Sequence, residues 1–589
     1  MRTITLGSVA LGICVGVAAG QVGMPEVVIT PVAHQGDPVA AIPGATFAWL
    51  CIPQIDAAGN VLFFAELAGP DIDGSNNLAI FYGPPGDLQV IARESWAAPD
   101  MPPGVIMTDL LWAAERVSET GWIGFTAELS GPGIVEGVNY RALFVGPVGD
   151  FQKVLQGGDQ APGLEPGIVM APDPQLAAML SDNATLLVPG WLSGPGVDYT
   201  NDDAYWIGSR DELEIIWREG MPAPGTEPGV TFDWADLVVF NDAGQITFRG
   251  GLEGPGVDDT NDVGYWTGPP GALELVARAG EPAWGCGEGI VYHSWGTNAP
   301  SLNAQGDVGY WMLLAQEGLP ADEDRGVWCS TAEAIHLIGR YGDPAPEIGP
   351  GVELASIGMH QINNRREVFY QVKYQGDTID SSNEWAMYFG PYENPRLTLR
   401  NSDPAPHFPD GTVLWYVNYA PVLGAMNDAG EIVTTIEIAG PDVTEENKVV
   451  LWIRSRVLGQ WVPLLRTGTV IDARIVYASY PGDLGDGYNN RTSGSDGQAQ
   501  SFNDAGQLAI KLEFTDGSHG IFRIEPPVFG DADADGDVDL DDWAAVHSCV
   551  TGVGGTPLGE GCELFDFDWD GDVDLTDLAV FQRLFGRGQ

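Results

Sequence analysis

A segment of about fifteen residues recurs eight times along the chain, and its spacing restricts the fold more than any other feature. Four of the copies are IDAAGNVLFFAELAG from Ile55, VSETGWIGFTAELSG from Val117, FNDAGQITFRGGLEG from Phe240 and MNDAGEIVTTIEIAG from Met426. Equivalent turn positions fall at 59, 121, 184, 244, 306, 366, 430 and 506, giving gaps of 62, 63, 60, 62, 60, 64 and 76 residues. A unit of this length is one supersecondary element that must bury its faces against copies of itself. The turn position is Gly in six units, with Ala184 and Arg366 in the other two. The long last gap contains the polar stretch DLGDGYNNRTSGSDG, which reads as an insertion in a surface loop.

Inside a unit the hydrophobic period is two. In QITFR from Gln245, Ile246 and Phe248 face one way while Thr247 and Arg249 face the other. The fourth unit reads as four strands: VTFDWADLVVF, then QITFRGGL after the turn Asn241-Asp242-Ala243-Gly244, then DVGYWTG, then ALELVARAG. With 79 Gly and 43 Pro, long helices are excluded as the main architecture. Four antiparallel strands per unit make a propeller blade. The eighth unit stops after its third strand, SHGIFRIE, whereas VVITPVAHQGDP from Val27 reads as a fourth strand with no unit of its own. We therefore expect an all-β, eight-bladed β-propeller over residues 21–525, closed by an N-terminal strand. A solenoid would need capping repeats in place of complementary halves.

Lys+Arg 26 against Asp+Glu 82 give a net charge of −56, which repels a phosphate backbone and argues against nucleic acid as a partner. The opening MRTITLGSVALGICVGVAAGQ has Arg2, an apolar run from Leu6 to Ala19 and small residues after it, the pattern of a secretory signal over residues 1–20. That run is shorter than the ~20 residues of a spanning helix. No later segment is long and apolar enough, so a secreted or cell-surface protein without a membrane span is expected.

The turns quoted above, the segment GPGVDDTNDVGYW and the segment REGMPAPG resemble the tandem NxxGxxAF repeat of the bacterial secreted choice-of-anchor proteins, whose members carry different C-terminal attachment modules. The resemblance spans most of the chain, departs from the repeat at Ala184 and Arg366, and brings no catalytic residue. It implies a secreted surface protein.

After Pro526-Pro527 the composition changes, and residues 530–589 hold 15 acidic residues against Arg583 and Arg587. DADADGDVDLDD places Asp531, Asp533, Asp535 and Asp542 at loop positions one, three, five and twelve, with Gly536 at the sharp turn. DFDWDGDVDLTD repeats the spacing with Asp566, Asp568, Asp570, Asp577 and Gly571. A carbonyl of Asp537 or Val538, and of Asp572 or Val573, can complete each set, while Asp539 and Asp574 can reach the ion through water. Two Ca²⁺ sites are expected. Each loop leads into a short helical pattern, with Trp543 and Val546 in one and Leu578, Phe581 and Phe585 in the other. The paired units resemble a type I dockerin, a small α-helical calcium-loop domain over residues 526–589. The resemblance implies attachment to a cohesin-like or other surface protein. An unusual insert bracketed by Cys549 and Cys562 separates the loops, and a disulfide between these two is expected in an oxidising compartment. Cys286 and Cys329 flank the fifth unit and offer a second pairing, leaving Cys51 alone.

The seven His, among them His34, His293, His336, His360 and His407, show no zinc spacing and read as core or surface residues. No nucleophile elbow or phosphate loop is present in the sequence, and no catalytic residue is assigned. One constellation repeats: Asp198, Asn201 and Asp202 in GVDYTNDDAYW, and Asp258, Asn261 and Asp262 in GVDDTNDVGYW. As a ligand face these would supply oxygens to a cation or to sugar hydroxyls; as turn residues they would bond to their own backbone, the favoured reading. Trp206 and Trp266 beside them read as blade core. The expected function is noncatalytic binding or surface display through a calcium-dependent tail. The alternative is a carbohydrate-active enzyme or lectin, with polysaccharide as partner, targeted by the same tail.

Overall fold

The computed structural model describes residues 13–15, 27–111, 115–172, 179–295, 299–315, 325–345, 347–416, 425–456, 458–471, 474–481, 501–525, 529–532, 538–553, 562, 565–567 and 572–585. Within each unit the strands, called a to d, pair in sequence order as an antiparallel sheet, and there are eight such sheets. Blade 4 shows the pattern: a is Thr231–Phe240, b Ile246–Glu253, c Val263–Gly268 and d Glu274–Arg278. In the other blades strand a is often split, as in blade 1, where Thr46–Leu50 and Gln54–Ile55 both pair with Val61–Ala68. The short inner pieces of strand a from blades 1, 2 and 3 touch one another, which puts strand a nearest the axis.

Ring closure is as the orphan strand requires. Blade 8 takes a, b and c from Arg474–Pro481, Leu508–Phe514 and His519–Glu525, and its fourth strand is Val27–His34, running antiparallel with Val28 opposite Glu525 and His34 opposite Gly520. Pairing the two ends of the chain removes a free sheet edge from the ring. The short strand Ile13–Val15 pairs with the outer side of Val27–Ile29; the rest of the expected leader lies outside the described residues, as does the polar insertion at 483–497.

The core is not one body but eight layers, one between each pair of neighbouring blades. Strand b of blade 1 shows how alternation feeds two of them: Val61 and Phe63 pack toward blade 8, while Leu62 and Phe64 pack toward blade 2. A fully buried aromatic or branched side chain contributes roughly 1.5–3 kcal/mol, so blade-to-blade contact, more than the small sheets themselves, holds the ring. Trp206 and Trp266 are fully buried core, as expected, and each indole N–H donates to a carbonyl of the preceding d-to-a loop, at Pro162 and Pro224, both 3.0 Å.

All eight a-to-b turn positions adopt left-handed φ, from +60° at Arg366 to +83° at Gly430. Ala184 (φ +66°) and Arg366 therefore keep the backbone shape that Gly supplies elsewhere, at a cost of about 1–2 kcal/mol each.

The tail carries two helices, α1 over Leu540–Cys549 and α2 over Leu575–Leu584. Their inner faces hold Val546, Val580, Phe581 and Leu584, while Trp543 and Phe585 are more exposed than the periodicity implies, at 42% each. Cys549 and Cys562 form a disulfide with Cα atoms 5.3 Å apart. Closing a loop of this size contributes about 3 kcal/mol in the chain-entropy picture. The second expected disulfide is absent: Cys286 and Cys329 are not bonded to each other. Strand parity is the reason. Trp328 faces the layer between blades 4 and 5 that Cys286 also joins, so its neighbour Cys329 points to the opposite face, into the layer between blades 5 and 6.

The tail is not isolated from the ring. Phe529, Phe565, Phe567 and Phe581 belong to one apolar cluster with the layer between blades 7 and 8, Leu458 packs against it, and Gln460 Nε2 donates to Phe567 O at 3.2 Å.

Candidate metal centre and ligand loops

The two tail loops share one hydrogen-bonded frame. In the first, Asp542 accepts from Ala532 N at 2.5 Å and from Asp539 N at 2.7 Å; in the second, Asp577 accepts from Phe567 N at 2.5 Å and from Asp574 N at 2.9 Å. Both carboxylates are buried to 1% exposure. Position twelve thus ties the start of each loop to the start of the helix that follows. Asp539 and Asp574 act as N-caps, accepting from Asp541 N and Thr576 N, both 2.7 Å, and Asp542 and Asp577 close the reciprocal capping boxes. That cap role was legible in the spacing, since position nine precedes the apolar run, but the sequence reading assigned position nine only to a water-mediated contact.

Asp572, Asp574 and Asp577 bring carboxylate oxygens within 4.8 Å of one another. Ligands about 2.4 Å from a common centre lie at most ~4.8 Å apart, so this set fits a hard cation. Asp531 and Asp566 open the two loops; Asp533, Asp535, Asp537, Asp568 and Asp570 lie outside the described residues.

On the propeller, the repeated ligand-face residues prove to be turn residues. Asp198 Oδ1 accepts from the Thr200 hydroxyl at 2.7 Å and from Thr200 N at 3.0 Å, and Asn201 accepts from Asp198 N at 3.1 Å while donating to Gly196 O at 3.1 Å. Asp258, Thr260 and Asn261 repeat this closely. The Thr hydroxyl and N–H hold both aspartate carboxyls below the usual range. An arginine at the end of strand d, Arg218 or Arg278, donates to the asparagine carbonyl at 2.9 or 2.8 Å and fastens the turn. Asp202 and Asp262 are half-buried beside these turns. The same turn recurs at Asp73-Asn76 and Asp380-Asn383. Next to Asp202, burial raises Glu219 to about 7 and Asp203 to about 6.

Sequence reasoning missed a set of residues on the opposite rim. The first residue of the a-to-b turn, buried in every blade, caps its own turn: Gln245 N donates to Asn241 Oδ1 at 3.0 Å, and Glu431 N to Asn427 Oδ1 at 2.8 Å. Its amide then reaches the next blade: Asn241 Nδ2 to Asn303 O at 2.9 Å, Asn303 Nδ2 to Asn363 O at 3.2 Å, Asn427 Nδ2 to Asn503 O at 3.1 Å, and Asn503 Nδ2 to Asp56 O at 2.8 Å. The other four junctions are bridged by Ala57 N to Glu119 O, Thr120 Oγ1 to Asp182 O, Asn183 N to Asp242 Oδ1, and Asn364 N to Asp428 Oδ1. Hydrogen bonds therefore run around the whole rim. Asparagine suits the position because it accepts and donates at once.

The profile described as "Family of unknown function (DUF7453)" matches residues 13–281, 180–487 and 486–525, the span that forms the ring. The chain belongs to this family. No curated protein matches a DUF7453 chain of this sequence. Among solved structures, the β-propeller domain of the Trilobed protease from Pyrococcus furiosus is 10% identical over 71% of this chain and 98% of that one, with a TM-score of 0.32. A puromycin-hydrolyzing peptidase from Mycobacterium tuberculosis is 11% identical over 79% of this chain and 58% of its own, at 0.32. A structure titled as the polysaccharide lyase PL25 ulvan lyase is 10% identical over 74% and 93%, at 0.27. The chain spans only about three-fifths of the peptidase's length. Among the described residues, no helix is long and apolar enough to cross a membrane.

Proposed function

We propose that this DUF7453 protein is a secreted, noncatalytic display propeller whose dockerin-like tail attaches it, in a calcium-dependent manner, to a cohesin-like or other surface protein. The observation that carries the reading is the matched frame of the two tail loops, with Asp542 and Asp577 buried and each holding two backbone N–H groups. Two loops with the same aspartate spacing and the same internal bonds are suited to two equal ions, and an all-oxygen donor set favours Ca²⁺. Bound Ca²⁺ would neutralise the carboxylates that each loop gathers; the chain's own residues set the loop ends and start the helices. Leu540 and Leu575, the first residues of the two helices, are 70% and 80% exposed and offer equivalent apolar contacts to a partner.

Calorimetric titration of the full chain with Ca²⁺ should show two sites, and the double variant Asp531→Ala, Asp566→Ala should lose them while the ring stays protease-resistant. Capture of a surface protein by the unsubstituted chain, dependent on Ca²⁺ and lost in the double variant, tests attachment. Unchanged calcium affinity in the variant would refute the loops as the binding sites.

A further inference from the structure

One groove breaks the eightfold pattern. It lies between blades 6 and 7, has a volume of about 640 Å³, and is lined among others by Phe389, Arg396, His407, Arg454, Gln460 and Trp461. Two of these residues stand where several other units have glycine. Arg454 lies opposite Ile432 on strand b; the equivalent partners in blades 1, 2, 3, 4 and 6 are Gly83, Gly146, Gly208, Gly268 and Gly390. His407 occupies the loop position of Gly163, Gly225 and Gly285 and keeps their left-handed backbone, with φ +63°. A β-carbon at Gly225 would meet Leu275 at 2.8 Å, whereas blade 7 has Pro463 at the corresponding place on strand d, opposite Trp452 as Leu275 is opposite Trp266. Blade 7 thus carries large side chains at two positions that are glycine in several other units, one of them with left-handed backbone.

Two arginines, one histidine and one carboxylate, Asp403, line that space. Arg396 is engaged by Glu347, Nε to Oε1 at 2.6 Å. His407 Nε2 meets Trp461 O at 3.1 Å, and burial pushes its pKa down to about 4, so it is neutral. Arg454 lies over the Phe389 ring, 4.5 Å from its centroid; its buried Nε makes no hydrogen bond among the described residues, and none of the described carboxylates is within ion-pair distance. A half-buried guanidinium with an unsatisfied Nε, offset only by the charge of Glu367 beyond hydrogen-bond reach, is costly. It is the more conspicuous in a chain with a net charge of −56, where counter-charges abound.

We propose that this groove binds a small organic carboxylate, with the Arg454 guanidinium receiving the carboxylate and Phe389, Leu399 and Leu414 flanking the body of the ligand. The planar fork of Arg matches a carboxylate in two parallel hydrogen bonds. A dianionic phosphate fits less well, because Asp403 lines the same groove and the field of the whole chain is negative.

The test is calorimetric titration of the full chain with glucuronate and with benzoate, using glucose, benzyl alcohol and inorganic phosphate as comparisons. At least one carboxylate should bind and raise the melting temperature, and its neutral counterpart should do neither. Binding of glucuronate alone assigns a saccharide acid and of benzoate alone an aromatic acid; both support the site. Arg454→Met should weaken binding by about tenfold or more, while its melting temperature without ligand stays equal or rises. Failure of both carboxylates with the unsubstituted chain, equal binding of phosphate, or undiminished binding by Arg454→Met would each overturn the proposal. The ligand-induced rise in melting temperature decides the matter without any variant.

Discussion

Replacing Asn241 by Asp tests the rim of hydrogen bonds at a single atom. Asn241 is fully buried; its Nδ2 donates to Asn303 O at 2.9 Å and to Gln245 Oε1 at 2.9 Å, and its Oδ1 accepts from Gln245 N. Asn241→Asp keeps the shape and the acceptor but turns the donor into an acceptor facing two oxygens. Gln245 can rotate its amide to supply one donor; the Asn303 carbonyl cannot. The loss of one link between blades, an unsatisfied buried carbonyl and a carboxylate taken out of water sum to about 2–4 kcal/mol.

Blade 1 provides the internal control, because Asp56 already occupies this position at 2% exposure. There the Tyr82 hydroxyl and Asn60 Nδ2 both donate to its Oδ2, and the link to blade 2 runs from Ala57 N instead. Blade 4 has Thr267 in place of that tyrosine, and its hydroxyl donates to Ile246 O. The introduced carboxyl lacks those donors, so burial raises its pKa in the folded state. A raised folded pKa means that the stability it contributes is full below the unfolded value of about 4 and lost as pH rises. Urea denaturation followed by tryptophan fluorescence should therefore show a deficit relative to the unsubstituted chain that is largest at neutral pH and shrinks toward pH ~4. A neutral-pH loss under about 0.5 kcal/mol, or a loss independent of pH, would refute the reasoning.

Ala184→Gly should stabilise the ring by up to about 1 kcal/mol, since φ +66° strains alanine and not glycine; a lower denaturation midpoint would contradict this. Ile29→Ala on the closing strand, where Ile29 is 1% exposed, should cost about 2–5 kcal/mol and increase proteolysis near both chain ends together, as measured by limited digestion. Glu219 and Asp203, raised by burial to about 7 and about 6, contribute stability that is full below the ordinary carboxylate range and lost as pH rises through 6 to 7; Glu219→Gln should flatten that fall in melting temperature. His407 and His519 titrate the other way: burial holds both near about 4, so their contribution is lost as pH falls from the usual imidazole range toward 4, and only the difference between variant and unsubstituted chain isolates Glu219.

The features legible in the sequence were those that repeat or that complete a repeat. Period two within QITFR gave the two packing faces, and the missing fourth strand after SHGIFRIE matched Val27–His34 because both ends of one blade can be compared by eye. Features that depend on a neighbour about sixty residues away were not legible. Asn241 reads as a turn residue, which it is, but its amide bonds to Asn303 in the next blade, and no local pattern states that. Cys286 and Cys329 failed as a pair for a related reason: flanking one unit says nothing about which face of a strand each thiol occupies. In the tail, loop spacing identified the aspartates, but not that Phe567 and Gln460 join the tail to blade 7.

A ring of near-equal blades spreads its stabilising contacts evenly, so function has to enter where the equality is broken. Blade 7 breaks it three times. Arg454 and His407 replace glycines, and Gln460, in the hairpin between them and the tail, bonds to the backbone of the second aspartate loop. Phe567 takes part at both ends of this chain of contacts: its carbonyl accepts from Gln460 and its N–H donates to Asp577. Under the proposed calcium binding, a rearrangement of that loop on chelation would move or release the Gln460 hairpin, which also lines the groove. The repeated turns at Asp73, Asp198, Asp258 and Asp380 have no such asymmetry, since their side-chain bonds close locally and recur in each of those four blades. The proposed ligand groove thus lies at one blade, beside the two tail helices, and not on the repeated loops that first draw the eye.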